Sequence, residues 1–291
     1  MKIKIDPKWY IGIILLVIVI GFLIFIATPM QMSWGMNGAA LTQVGLLLIA
    51  IAVPIIFKWK LSEILQIKKV TVKHFFGTLI LYVASFILIN LVTLIVAYLS
   101  PGMLEVGNAL GNFFTTVPFI VAFLIVAVMP GICEEVLFRG VILHTMQNFK
   151  SELMVMLISA FIFGVFHLDF HRFFPTSILG FVMTYLMLKT GNLLLPVFFH
   201  FLNNAVSLSV SYGIFSGGGE IDTGAAVGID MIGAYLIFAT LAPALFFFAG
   251  RLLNPERKNK RDKFIIIGLS TLSFITGLII VALTLDPSAY L

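Results

Sequence analysis

The sequence predicts an all-α fold, a polytopic transmembrane helical bundle of about 8–9 spans, and three observations carry that expectation. Of 291 residues, 60% are hydrophobic and only 11% charged, a balance too apolar for a soluble domain. The apolar residues come in runs long enough to cross a hydrocarbon core about 30 Å thick, which takes about 20 residues of helix. The basic residues fall in short blocks between those runs, as membrane topology requires. The net charge of +5 is therefore read as orientation in a lipid bilayer, and nucleic acid is not expected as a partner.

Taken in order, the first run is Ile11 to Ala27. Lysines precede it, but no small-residue cleavage site follows, so it reads as a retained anchor rather than a signal peptide. Ala39 to Phe57 is the second. Leu61 to His74 is basic and amphipathic and is expected to lie along the membrane surface. Phe75 to Leu99 and Val117 into the 130s are the third and fourth. Leu153 to Leu168 and Phe174 to Leu188 are short, and Leu193 to about Tyr212, Ile229 to Gly250 and Phe264 to Leu285 complete nine.

With a cytoplasmic N-terminus, nine alternating spans put Lys2, Lys4, Lys8, Lys58, Lys60, Lys68, Lys69, Lys73, Lys150, Lys189 and the cluster from Arg251 to Lys263 on the cytoplasmic side. Arg172 falls outside and Arg139 within the membrane. Deleting one span would move every later block to the other face. No internal repeat is evident, so residues 1–291 read as a single membrane domain. Cys133 is the only cysteine, which excludes a disulfide within the chain.

A charged group deep in a bilayer costs a few kcal/mol, about 2.5–3.5 on insertion scales, so each ionisable residue inside a span is a candidate site. Glu135 and Arg139 are four apart and share a helix face, so they can pair. Glu134 points about 100° away, which leaves one carboxylate for structure and one for chemistry. The plain alternative is an ion-paired helix end. Pro130 precedes the pair and frees the carbonyl of Val126 from its helical bond. His167 closes an apolar span and needs a hydrogen-bond partner; by itself it reads equally as a core histidine. His171 shares its face as HxxxH, but it lies among Asp169, Arg172 and Pro175, which suggests a solvated loop. His200 and Asn204 are four apart on one face, where they could aim at one point and hold an oxyanion or serve as glue between helices. Together, a carboxylate, an imidazole, and a second imidazole with an amide lie on three spans in the order a hydrolase needs. Glu and His can deprotonate a water, and His with Asn can hold the charge on the attacked carbonyl.

Those residues resemble a known family. Glu134-Glu135-Val136-Leu137-Phe138-Arg139 matches EExxxR, Phe163 to His167 matches FxxxH, and His200 to Asn204 matches HxxxN of the CAAX-protease and bacteriocin-processing (Abi, Rce-type) family. The resemblance covers residues 117–207, leaving 1–100 and 213–291 as accessory transmembrane helices. It implies an all-helical membrane core and an intramembrane endopeptidase acting on a membrane-associated peptide or protein. In it Glu134 and His167 activate water, His200 and Asn204 form the oxyanion hole, and Glu135 and Arg139 shape the site.

The family is widely labelled metallopeptidase, and a zinc ion would need three protein ligands, for which Glu134, His167 and His200 are the candidates. A metal-free glutamate mechanism is the alternative. The apolar runs and the basic blocks imply an integral, multi-pass protein with a cytoplasmic N-terminus, and a bacterial cell membrane is its expected location. Two other classes stay open: a non-catalytic scaffold or bacteriocin-immunity factor of the same fold, and a transporter using buried Glu, Arg and His as an ion path. The serine, aspartyl and site-2 signatures GxSG, GxGD and HExxH are absent. An acidic neighbour disfavours a thiolate at Cys133, which reads as packing.

One conflict remains at this level. A straight fourth span from Val117 puts Glu134 about 25 Å down toward the cytoplasmic side, with His167 about 21 Å up from that side. They meet only if the fourth helix begins later, with its tail reaching Asn148, or if a cavity dips to one of them.

Overall fold

A computed structural model describes residues 8–222, 227–254 and 262–284. Among these residues the structure is helical with turns and short irregular stretches and no strand, and seven helices are long and apolar enough to cross a membrane. Lys2, Lys4, much of the basic cluster from Arg251 to Lys263, and the C-terminal stretch from Asp286 lie outside the described residues.

The first such helical path, Trp9–Ile56, has 48 residues. At 1.5 Å per residue it would extend about 70 Å, over twice the hydrocarbon thickness. It folds back instead. α1 (Trp9–Phe22) runs through a wider π-turn stretch, Leu23–Ala27, into α2 (Thr28–Ile56), which breaks at Gly35 with φ +52° and ψ −128°. Only glycine adopts that conformation without strain. Beyond the break, Gly38 approaches Met30 so closely that a Cβ would stand 2.3 Å from the Met30 carbonyl oxygen, and a Cβ on Gly45 would stand 2.5 Å from the Phe22 ring. The expected spans Ile11 to Ala27 and Ala39 to Phe57 are the two arms of this hairpin.

Of the segment Leu61 to His74, expected along the membrane surface, only the first part forms a helix of its own. α3 (Leu61–Leu65) stops at Gln66, whose φ is +40°. The next residues run extended because the Asn192 side chain grips them, its Oδ1 accepting from Lys68 N and its Nδ2 donating to Lys68 O. Thr71 then caps α4 (Val72–Leu99), accepting from His74 N. α5 (Gly102–Phe114) was not anticipated. It is too short and polar to be a span, and Gly111 gives room to the Phe215 ring.

The fourth span, α6, is the continuous helix Phe119–Thr145 of 27 residues. It starts after Pro118 and carries π-turn stretches at Phe123–Val128 and Val136–Ile142, with Pro130 between them. α7 (Glu152–Phe166) has 15 residues, about 22 Å of helix, and is short as expected. α8 (Phe170–Thr190) has 21, longer than the run Phe174 to Leu188. The reason is Asp169, whose Oδ1 accepts from the N–H groups of His171 and Arg172 and starts the helix early. The segment expected as a solvated loop is thus the first turn of α8.

α9 (Leu194–Phe215) follows, then α10 (Ile229–Ala239) and α11 (Ala242–Leu253), which together make one span of 25 residues. α12 (Asp262–Thr284) packs on α10 where Gly233 meets Gly277, the small-residue approach of membrane helices. Large apolar side chains such as Phe25 and Met32 cover the outside, while Glu134, Glu135, Arg139 and His200 are buried within. That inverted distribution suits a lipid surround.

Candidate active site

Glu134 and Glu135 sit near the middle of α6, and their surroundings differ. Glu135 has no exposed surface. Its Oε1 accepts from Arg139 Nη1 at 2.8 Å and from His200 Nδ1 at 2.8 Å, while Arg139 Nη2 donates to the Gly180 carbonyl of α8 at 3.0 Å. One carboxylate therefore ties α6, α8 and α9 together. An ionised carboxylate only accepts, so the His200 proton sits on Nδ1 and its Nε2 is presented on the far side of the ring. That Nε2 is 4.0 Å from Glu134 Oε2. Glu134 is 6% exposed. Its Oε1 accepts from Gln43 Nε2 at 2.9 Å, and its Oε2 is buried with no hydrogen bond.

His167 is half-buried just past the end of α7. Its Nδ1 lies 2.8 Å from the Phe163 carbonyl, which can only accept, so Nδ1 carries the hydrogen and Nε2 keeps its lone pair. The chain turns away immediately through Leu168 at φ +52°. Phe163 is the wall the site shares: its ring packs against His167 at 5.0 Å and His200 at 5.8 Å, with the Arg139 guanidinium 4.7 Å from its centroid. Arg172 lies within electrostatic reach of both Glu134 and His167, and His200 of both as well. Glu134 and His167, which a straight span would have set at different heights, thus share two neighbours. α6 extends to Thr145, so Glu134 falls near its centre, and α7 ends inside the bundle.

Asn204 bonds to two neighbours of its own. Its Nδ2 donates to the Val126 carbonyl at 3.2 Å, the group that Pro130 leaves without a helical partner. Its Oδ1 accepts from Asn203 Nδ2 at 3.3 Å. One amide N–H remains. His171 does not join His167 either; its Nε2 is 2.9 Å from Ser100 Oγ.

Three residues of the site were not singled out from the sequence. Gln43 is a lone amide in an apolar run, and the argument that picked out the other membrane-buried polar groups applied to it as well. Arg172, assigned to an outside loop, turns inward because Asp169 starts the helix before it. Phe163 is invisible among 29 phenylalanines except as the first letter of FxxxH.

Among the described residues no three His, Cys, Asp or Glu side chains are grouped so that they could hold a metal ion. The atoms that Glu134, His167 and His200 would offer a metal are Oε2 and the two Nε2, since Nδ1 of each histidine and Glu134 Oε1 are already bonded.

The fold and this centre define an integral membrane protein with a carboxylate and imidazole site inside its helical bundle. Residues 116–206 match the family model described as type II CAAX prenyl endopeptidase Rce1-like. The chain is also similar to the "Putative membrane peptidase YdiL" of Bacillus subtilis (strain 168), 26% identical over 100 residues. That alignment covers 34% of this chain and 40% of the relative. No solved structure matches the chain.

Proposed function

We propose that the protein is an intramembrane endopeptidase that hydrolyses a peptide bond of a membrane-associated peptide or protein, with water activated by Glu134 and His167. The observation that carries this reading is the contrast between the adjacent acids. Glu135 is paired with Arg139, whereas Glu134 keeps a buried oxygen without a partner beside the His200 ring. A water held by Glu134 Oε2 and His167 Nε2 gives up a proton as its oxygen attacks the carbonyl carbon. The carbonyl oxygen takes the negative charge, and the remaining N–H of Asn204 and Nε2 of His200, once that ring carries a second proton as imidazolium, are the donors for it. The carbon–nitrogen bond then breaks, and the abstracted proton passes to the departing amine.

Residues 117–207 are the catalytic core in this reading. The N-terminus is cytoplasmic in a bacterial cell membrane, a placement supported by the gathering of Lys68, Lys189 and Gly191 at one end of the bundle. The test is peptide cleavage by purified protein in liposomes, wild type against Glu134→Gln, each with and without chelator and zinc add-back. Cleavage that needs Glu134 and survives chelation supports the reading. Cleavage restored only by zinc replaces it with a metallopeptidase, and equal cleavage by the two proteins sinks it.

A further inference from the structure

We propose that Gln43, delivered by the N-terminal hairpin, is a positioning residue for Glu134, so that a helix outside the family-matched segment is part of the hydrolytic centre. The proposal rests on the reading of Glu134 as the base. Gln43 belongs to α2, far from residues 116–206 in sequence, yet its Nε2 donates to Glu134 Oε1 at 2.9 Å. That bond fixes which carboxylate oxygen remains available, namely Oε2, the one facing His200.

The hairpin holds Gln43 in place by several means. Gly35 reverses the chain, and Gly38 and Gly45 bracket the residue and let the arms touch. Beside it Thr42 donates to the Gly38 carbonyl and accepts from Gln31 Nε2 at 3.0 Å. These bonds close the turn within the hairpin, which leaves the Gln43 side chain to reach α6.

A purely structural amide in this setting would be expected to satisfy both its ends, since a buried acceptor without a partner costs about 1–3 kcal/mol. Gln43 does not. Its Oε1 is buried with no hydrogen bond, and so is Glu134 Oε2. Two acceptors on side chains already joined to each other match the two hydrogens of one water molecule. A water donating to both before the substrate arrives would turn its lone pairs outward, the orientation a nucleophile needs, and would exchange the Gln43 bond for one to His167 Nε2 as it reacts. The hairpin then sets the position of the carboxylate and helps to set that of the water.

The test uses the full chain in liposomes. Gln43→Met keeps the length and removes the donor; Gln43→Asn keeps the amide but is one methylene too short, and serves if the methionine variant does not fold. The measurements are kcat, KM, thermal midpoint and the infrared carboxyl band of Glu134, identified by its loss in Glu134→Gln. The expected result is a kcat at least about tenfold lower with KM within about twofold, together with a shifted Glu134 band. An unchanged band, or a shifted band with wild-type kcat, overturns the positioning role. The underlying reading fails separately, through equal cleavage by wild type and Glu134→Gln, while the infrared measurement still reports on the contact.

Discussion

Nδ1 of His200 donates to Oε1 of Glu135 at 2.8 Å, and that same oxygen receives Nη1 of Arg139. The imidazole is thus oriented by a carboxylate whose charge is already balanced by a guanidinium. Removing one partner from a buried ion pair costs about 3–5 kcal/mol because the other charge is left uncompensated. Arg139→Met is therefore expected to lower the unfolding midpoint in detergent steeply. Arg139→Met with Glu135→Met should regain a large part of that loss, yet stay inactive because His200 loses its acceptor. Equal stability for the single and double variants would contradict this account of the pair.

Glu134 makes the opposite prediction. Its Oε2 contributes no hydrogen bond to the folded protein, so Glu134→Gln keeps the shape while removing a buried charge. Cleavage should fall by about 10³-fold, within the usual range for losing a general base, while the thermal midpoint stays level or rises. A variant that loses activity only because it unfolds would assign Glu134 to structure.

The positions of Glu134, Glu135, Arg139, His167 and His200 were legible in the sequence because a polar residue in an apolar run has few reasons to be there. Their mutual approach was not. It depends on where α6 begins and on the early end of α7, and apolar runs mark helix ends only loosely. Arg172 was misplaced for a related reason: Asp169 reads as a loop residue by composition but acts as a helix cap. The hairpin at Gly35 was legible as two spans, though nothing local showed that its second arm would bring Gln43 to Glu134.

Asn204 and Pro130 form a coupled pair through Val126. Proline supplies no N–H to the Val126 carbonyl, and Asn204 supplies one instead. Asn204→Ala should cost about 1–3 kcal/mol, the penalty for leaving an acceptor within the bundle without a donor. In a Pro130→Ala background the helix can satisfy that carbonyl itself, so the same substitution should cost measurably less, a coupling readable by a double-mutant cycle on unfolding. Activity should stay low in both Asn204 variants if the second amide N–H serves the oxyanion. Additive stabilities would show that the amide does not stand in for the missing helical bond.

Gly180 links packing to chemistry. A Cβ there would lie 2.8 Å from Phe163 Cβ and 3.1 Å from Ala160 Cα, both on the neighbouring helix. Neither is the yielding end of a flexible side chain, so α7 and α8 must separate, at a cost of about 1–3 kcal/mol. The Gly180 carbonyl also accepts from Arg139, and Phe163 packs against both His167 and His200. Gly180→Ala is therefore expected to lower kcat as well as stability, because the separation moves the wall between the two imidazoles and the anchor of the guanidinium together. Gly213→Ala and Gly268→Ala are the controls. A Cβ at either meets nothing within 4 Å, and alanine is the better helix former, so both should match or exceed the wild type in thermal midpoint with unchanged cleavage. A Gly180→Ala variant as stable and active as these controls would mean that the close approach of α7 and α8 is not what holds the site in register.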